Sequence, residues 1–104
     1  MSDKGLKFDS EKPRISLIPA EAILGLADVL TFGAKKYGDH NWSNGIEFTR
    51  LMDAIDRHHL EFKMGIDLDK ESNKSHLLHM MANICFLYWL LLHKPEFDNR
   101  WQKK

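Results

Sequence analysis

Apolar residues return every three or four positions over three stretches of the chain, with polar or turn-forming residues between them. In the first stretch Ala22, Ile23, Leu26, Val29, Leu30 and Gly33 share one side, which predicts a helix over residues 19–37. Pro19 suits its first turn, where a missing donor costs nothing, and Gly38 is its natural stop. In the second, Leu51, Ala54, Ile55, His58 and Phe62 form one stripe, predicting a helix over residues 47–64 that Gly65 ends. The third helix is expected over residues 73–93, with Ser72 or Asn73 as N-cap and Pro95 just past its end. Leu77, Met80, Met81, Ile84, Leu87, Tyr88 and Leu91 are expected to face inward from it. Residues 1–18 show no helical period and read as an extended arm, and residues 94–104 as a tail.

No pair of alternating apolar runs suggests a hairpin, so the pattern predicts an all-α fold in a single domain over residues 1–104. Its architecture is three main helices in an antiparallel bundle with an extended N-terminal arm. The segment "CFLYWLLL" is apolar nearly all the way round its helix, more than one small bundle covers, so completion by homo-oligomerisation is expected. Fifteen Lys plus Arg balance fifteen Asp plus Glu, which excludes a global field toward a nucleic acid polymer or an anionic membrane. Any anion binding is then local. The longest clean apolar run, residues 84–92, is under half a membrane span, and the N-terminus lacks a signal peptide's apolar core; a cytoplasmic location is expected. Cys85, inside an apolar run, reads as a small core residue.

Chemistry concentrates in three places. His76, His79 and Asn83 lie at i, i+3 and i+7 on one face of the third helix, and His58 sits in the stripe of the second. Antiparallel packing brings three imidazoles and a carboxamide toward one pocket, as metal ligands, as proton-transfer groups, or as core-edge residues bonded to one another. Asp53, Asp56 and Glu61 in the second helix, with Asp67, Asp69 and Glu71 in the turn, offer oxygen ligands suited to magnesium on a polyphosphate, while Asp67, Asp69 and Glu71 also suit a turn and a helix start. "FGAKKYGDHNW" puts Lys35 and Lys36 beside Tyr37, Asn41 and Trp42, and with Arg14 and Arg57 it describes a pocket that stacks a base and neutralises phosphates.

The ordered blocks "GLKFDSEKPRISLIP", "LTFGAKKYGDHNW", "RHHLEF", "GIDLDKES" and "HLLHMMANICFL" resemble the phage dATP/dGTP diphosphohydrolase N-terminal domain family, a relative of the MazG-type all-α nucleoside triphosphate pyrophosphatases. The resemblance covers roughly residues 5–90. It implies an oligomeric, metal-dependent enzyme that uses Mg2+ or Mn2+ to cleave a purine dNTP to its monophosphate and pyrophosphate. It marks Lys12, Pro13, Arg14, Gly33, Lys35, Lys36, Tyr37, Asn41, Trp42, Arg57, His58, Asp67, Asp69, Glu71, His76, His79 and Asn83. The expected roles are Arg14, Lys35, Lys36 and Arg57 on phosphates, Tyr37 and Trp42 with Asn41 on base or sugar, and His58, His76, His79 and Asn83 as catalytic groups. Glu61, Asp67, Asp69 and Glu71 are the expected metal ligands. Where MazG-type enzymes present paired glutamates, the corresponding faces here carry histidines and Asn83. An alternative reading is a non-catalytic protein that sequesters a host nucleotide immune signal, an anti-defence sponge, which needs cations and aromatics but no metal carboxylates.

Overall fold

A computed structural model describes residues 5–102, and its main elements are three helices: α1 (Ala20–Tyr37), α2 (Phe48–Lys63) and α3 (His76–His93). Short 3-10 turns at Ile15–Leu17, Asn41–Asn44 and Pro95–Phe97 punctuate the connections. Among the described residues the only β pairing is one isolated bridge, Leu68 with Ser75, so the fold is all-α.

The helix ends follow from local chemistry. Gly38 closes α1 at φ 95°, a conformation that favours glycine, and donates its N–H to the Ala34 carbonyl at 2.7 Å. The start of α2 has no cap from its own Glu47; the tail supplies one instead. Asn99 Oδ1 accepts the Thr49 N–H at 3.0 Å, and Asn99 Nδ2 donates to Glu47 at 2.8 Å. On α3 the N-cap is Ser75, whose Oγ accepts the Leu77 N–H at 3.1 Å, so the helix begins three residues later than expected. Neither Ser72 nor Asn73 caps it. Asn73 instead takes the left-handed conformation at φ 60°, inside the preceding turn.

The core lies where the start of α2 meets the end of α3, which makes the two antiparallel. Phe48, Leu51 and Leu90 are buried there, with Ile46, Met52, Phe86, Leu87, Trp89 and Phe97 packed around them. On the other side of α3, α1 crosses close to its first turns: a Cβ on Gly25 would sit 2.7 Å from a Leu78 methyl. Lys74 bonds Asp28 at 2.7 Å and Lys36 pairs with Glu71, tying α1 to the α2–α3 connector. Helix α3 is thus the shared partner of the other two.

Two sequence expectations change here. The buried line of α3 holds His76, Ala82 and Leu90, whereas Leu77, Ile84, Tyr88 and Leu91, expected inside, are 46%, 50%, 63% and 46% exposed. Cys85, expected in the core, is exposed. Both follow from an apolar surround that leaves the helix's rotation to its neighbours. The buried side is the one the imidazole of His76 and the core cluster require.

Candidate functional site

The connector of residues 64–75 sets the site. It turns at Gly65 (φ 90°), and backbone bonds then fold it back: Asp69 N–H to the Lys74 carbonyl at 2.7 Å, and His76 N–H to the Asp67 carbonyl at 3.0 Å. Asp69 fixes the turn with its side chain, Oδ2 accepting from the Ser72 N–H at 2.9 Å and from the Ser72 hydroxyl at 3.0 Å. Because that hydroxyl donates to Asp69, it accepts from His79 Nε2, 2.7 Å away. A chain from Asp69 through Ser72 to His79 therefore joins the connector to α3.

Three imidazoles meet at its inner end. His58 of α2 stacks on His79 with ring centroids 4.8 Å apart and planes 8° from parallel. His58 Nδ1 lies 2.8 Å from His76 Nδ1. His76 is fully buried, and its Nε2, although 3.3 Å from a Glu61 oxygen, is not aligned with it and has no hydrogen-bond partner. Donor atoms of His58, Glu61, Asp69 and His76 all lie within 4.8 Å of one another. Arg57, His58, Leu60, Glu61, Asp69 and Glu71 line a cleft of about 520 Å³ over this cluster.

Burial lowers the pKa of His58, reinforced by the neighbouring His79. It also lowers that of His79, against the opposing pull of Asp69. Burial pushes the Asp69 carboxyl up, but the Ser72 amide and hydroxyl and the two imidazoles together outweigh it and hold it low. At neutral pH the cluster thus presents lone-pair nitrogens beside an ionised carboxylate, a set able to hold a cation or accept a proton.

The family described as dATP/dGTP diphosphohydrolase, N-terminal, matches residues 2–100. The chain belongs to this family. A dATP/dGTP diphosphohydrolase of Salmonella phage PMBT28 is 40% identical over 96 residues, covering 92% of this chain and 33% of that protein. The chain therefore spans about a third of that relative's length. No solved structure matches it.

Within this dATP/dGTP diphosphohydrolase N-terminal fold, the expected site residues divide. His58, His76 and His79 converge as the sequence suggested. Asn83 stands one turn away, its side chain donating to the His79 carbonyl at 2.9 Å rather than entering the cleft. Of the expected metal carboxylates, Glu61 and Asp69 join the cluster, with His58 and His76 where Asp67 and Glu71 were expected. Asp67 contributes its backbone carbonyl, and Glu71 holds Lys36 at the cleft rim. Arg57 lines the cleft, and Tyr37, 63% exposed, lies beside the Lys36 ammonium, 5.3 Å from its ring centroid. Lys35, Asn41 and Arg14 are exposed.

Trp42 is placed elsewhere. Its ring stacks on Phe86 at 4.7 Å and meets Trp89 edge-on at 5.1 Å, ten or more residues along α3 from His76 and hence about 15 Å away along the helix. Packing engages the face that base stacking needs. Ser72, conversely, was read only as a possible cap and is the hydroxyl linking Asp69 to His79. Its signal in the sequence is the Asp-x-x-Ser spacing of a side-chain turn.

The lowered imidazole pKa values fix a sign for acid stability. The folded protein holds His58 and His79 neutral to lower pH than the unfolded chain, so their contribution is full above the ordinary value of 6.5 and is lost as pH falls below it. Thermal unfolding of metal-free protein is expected to show Tm falling from pH 7.5 toward pH 5. A His58→Gln, His79→Gln double variant is expected to flatten that slope.

Proposed function

We propose that the chain binds a purine deoxynucleoside triphosphate in this cleft and cleaves it to the monophosphate and pyrophosphate, in the cytoplasm of the phage-infected host. Water adds to the α-phosphorus, the α–β bridging bond breaks, and pyrophosphate departs with the bridging oxygen. The observation that carries the reading is a cleft where a cationic rim, Arg57 and Lys36, meets an imidazole–carboxylate floor. Membership of a family described as dATP/dGTP diphosphohydrolase, N-terminal, supports the choice of substrate class.

Arg57 and Lys36 neutralise the phosphates, and Tyr37 offers an exposed ring to the base or sugar. In the absence of substrate the Lys36 ammonium is engaged by Glu71, which raises its pKa and keeps it charged at the rim. His79, neutral and with its Nε2 proton held by the Ser72 hydroxyl that Asp69 aims, keeps its lone pair on Nδ1, which accepts the proton of the attacking water. The donor set fits a divalent cation, since the buried His76 Nε2 lacks any other partner, and His58, Glu61, Asp69 and His76 would hold it. Such an ion supplies charge stabilisation to the phosphoryl oxygens. The sequestering alternative draws no support from the comparisons, which point to a diphosphohydrolase.

Incubation with dGTP and dATP in the presence of Mg2+ or Mn2+, with products resolved by ion exchange, tests this; recovery of only intact nucleotide contradicts it. Lys36→Ala with Arg57→Ala is expected to weaken nucleotide binding about tenfold, a modest effect because both sites face solvent. Unchanged affinity would remove the rim from the account.

The assembly belongs to the same reading. Leu77, Ile84, Tyr88 and Leu91 form one exposed apolar stripe along roughly 20 Å of α3. By length and mean hydropathy (1.3 over 18 residues) α3 also reaches the level of a membrane span. We assign the stripe to another copy of the chain, because the opposite side of the same helix packs on soluble-type polar and aromatic neighbours. Light scattering is expected to give a multiple of the 12.2 kDa chain mass, and Ile84→Lys with Tyr88→Lys to shift it to a monomer.

A further inference from the structure

We infer that the N-terminal segment of one copy of the chain, residues 5–18, docks across the cleft of a second copy and delivers Arg14 to its phosphate rim. This deepens the functional reading, on which the role given to Arg14 rests, while the docking itself can be measured without any nucleotide.

The first ground is that the segment lacks a partner in its own chain. Every residue from 5 to 21 is exposed, and Leu6, Phe8, Ile15, Leu17 and Ile18 are between 49% and 92% exposed. Among the described residues its backbone hydrogen bonds are internal, such as Lys12 N–H to the Asp9 carbonyl and Leu17 N–H to the Arg14 carbonyl, and no ion pair ties it to the bundle. Five large apolar side chains on so short a stretch mark a surface that a partner covers.

Its own cleft is out of reach. The segment leaves α1 at Ala20, whereas Lys36 of the rim lies about 24 Å further along the same helix. The long dimension of the molecule is 60 Å, more than twice the roughly 27 Å of α1, and its radius of gyration is 17.8 Å against about 13 Å for a compact chain of this length. The segment thus points away from the bundle instead of folding back along α1.

The second ground is the cleft itself. Arg57 and Lys36 face Glu61, Asp69 and Glu71, two cations against three carboxylates, so the cleft of a single copy is short of positive charge for a run of three phosphates. Residues 12–18, "KPRISLI", bring two cations and no acid. An apolar ledge beside the cleft suits the rest of that stretch. Leu60 and Met64 stand one helical turn apart at the end of α2, Ile66 folds back so that its N–H meets the Glu61 carbonyl at 3.0 Å, and Leu68 follows two residues on. All four are between 46% and 70% exposed. The exposed stripe of α3 fits the segment less well, because His76–His93 contains no carboxylate to meet Lys12 and Arg14.

Two variants in a Cys85→Ser background test the docking, since Cys85 is exposed. One carries Arg14→Cys; the other carries Glu71→Cys at the cleft rim and a heavy-nitrogen label. Mixed and oxidised with diamide, they are expected to form the labelled–unlabelled disulfide at least about tenfold faster than Arg14→Cys forms one with labelled Ile84→Cys on the α3 stripe, as read by mass spectrometry. Arg14→Ala is expected to weaken dGTP binding about tenfold, with the mass in solution unchanged by light scattering. A mixed disulfide no faster than the Ile84 control, or one that forms only within a chain carrying both Arg14→Cys and Glu71→Cys, would overturn the inference, as would dGTP affinity indifferent to Arg14→Ala. A chain that forms the mixed disulfide yet cleaves no nucleotide keeps the docking and removes the functional reading. Cleavage of dGTP without the mixed disulfide does the reverse.

Discussion

Asp69→Ala is expected to cut pyrophosphate release at least about 100-fold, the largest catalytic effect of any single change in the cleft. Three structural features set this size. Asp69 lies in the four-residue donor cluster, its Oδ2 fixes the connector through Ser72, and through the same hydroxyl it orients His79. Loss of activity alone would not separate site chemistry from a misfolded turn, so Asp69→Asn is the informative companion. Its amide oxygen can still accept from the Ser72 amide and hydroxyl, while the negative charge is gone. A melting temperature near the parent's with activity as low as Asp69→Ala supports the site role. Recovery of most of the activity by Asp69→Asn would assign Asp69 to the turn only. Ser72→Ala, which leaves the carboxylate in place but unaimed, is expected to cost roughly tenfold.

For stability the largest expected effect lies at the opposite end of the bundle. Gly45 has φ 121°, and a Cβ there would sit 2.1 Å from the ring of Phe97. Both features count. The backbone conformation is strained for any residue with a Cβ, and the ring it would strike is part of the core around Phe48, Leu51 and Leu90. Phe97 cannot withdraw without loosening the tail, whose Asn99 caps α2 two residues further on. Gly45→Ala is therefore expected to destabilise by about 3 kcal/mol, lowering Tm by more than 10 °C for a chain this short. Gly25 forms a useful contrast. Its close neighbour is the end of the flexible Leu78 side chain and its backbone is helical, so Gly25→Ala is expected to cost much less. Equal losses at the two positions would contradict the assignment of Gly45 as the strained one.

The helices were legible because their apolar spacing, together with Pro19, Gly38 and Gly65, leaves little choice of where they run. The rotation of α3 was not. With apolar residues on nearly every side, periodicity cannot select a face, and the burial of His76, Ala82 and Leu90 is decided by what α1 and α2 bring to it. The start of α3 was misplaced for a related reason. Three nearby residues, Ser72, Asn73 and Ser75, all suit a cap, and only the hydrogen bond between Asp69 and Ser72 shows that the turn claims the first of them.

The site was half legible. The convergence of His58, His76 and His79 follows from helical spacing plus antiparallel packing, both readable in one dimension. Which carboxylates join them depends on how the connector folds back, and that turns Glu71 toward Lys36 while aiming Asp69 inward. Trp42 misled because chain proximity to Lys35 and Lys36 suggested shared work. The left-handed turn at His40 (φ 56°) and the short helix after it carry Trp42 away to the aromatic end of α3.

The central claim is that the cleft directs water onto the α-phosphorus of a purine dNTP. Turnover of dGTP in water enriched in oxygen-18, with products separated and weighed by mass spectrometry, tests it most directly. The account predicts one heavy oxygen in dGMP and none in pyrophosphate. Heavy oxygen in pyrophosphate or inorganic phosphate, or dGTP recovered unchanged with every divalent ion supplied, would contradict it.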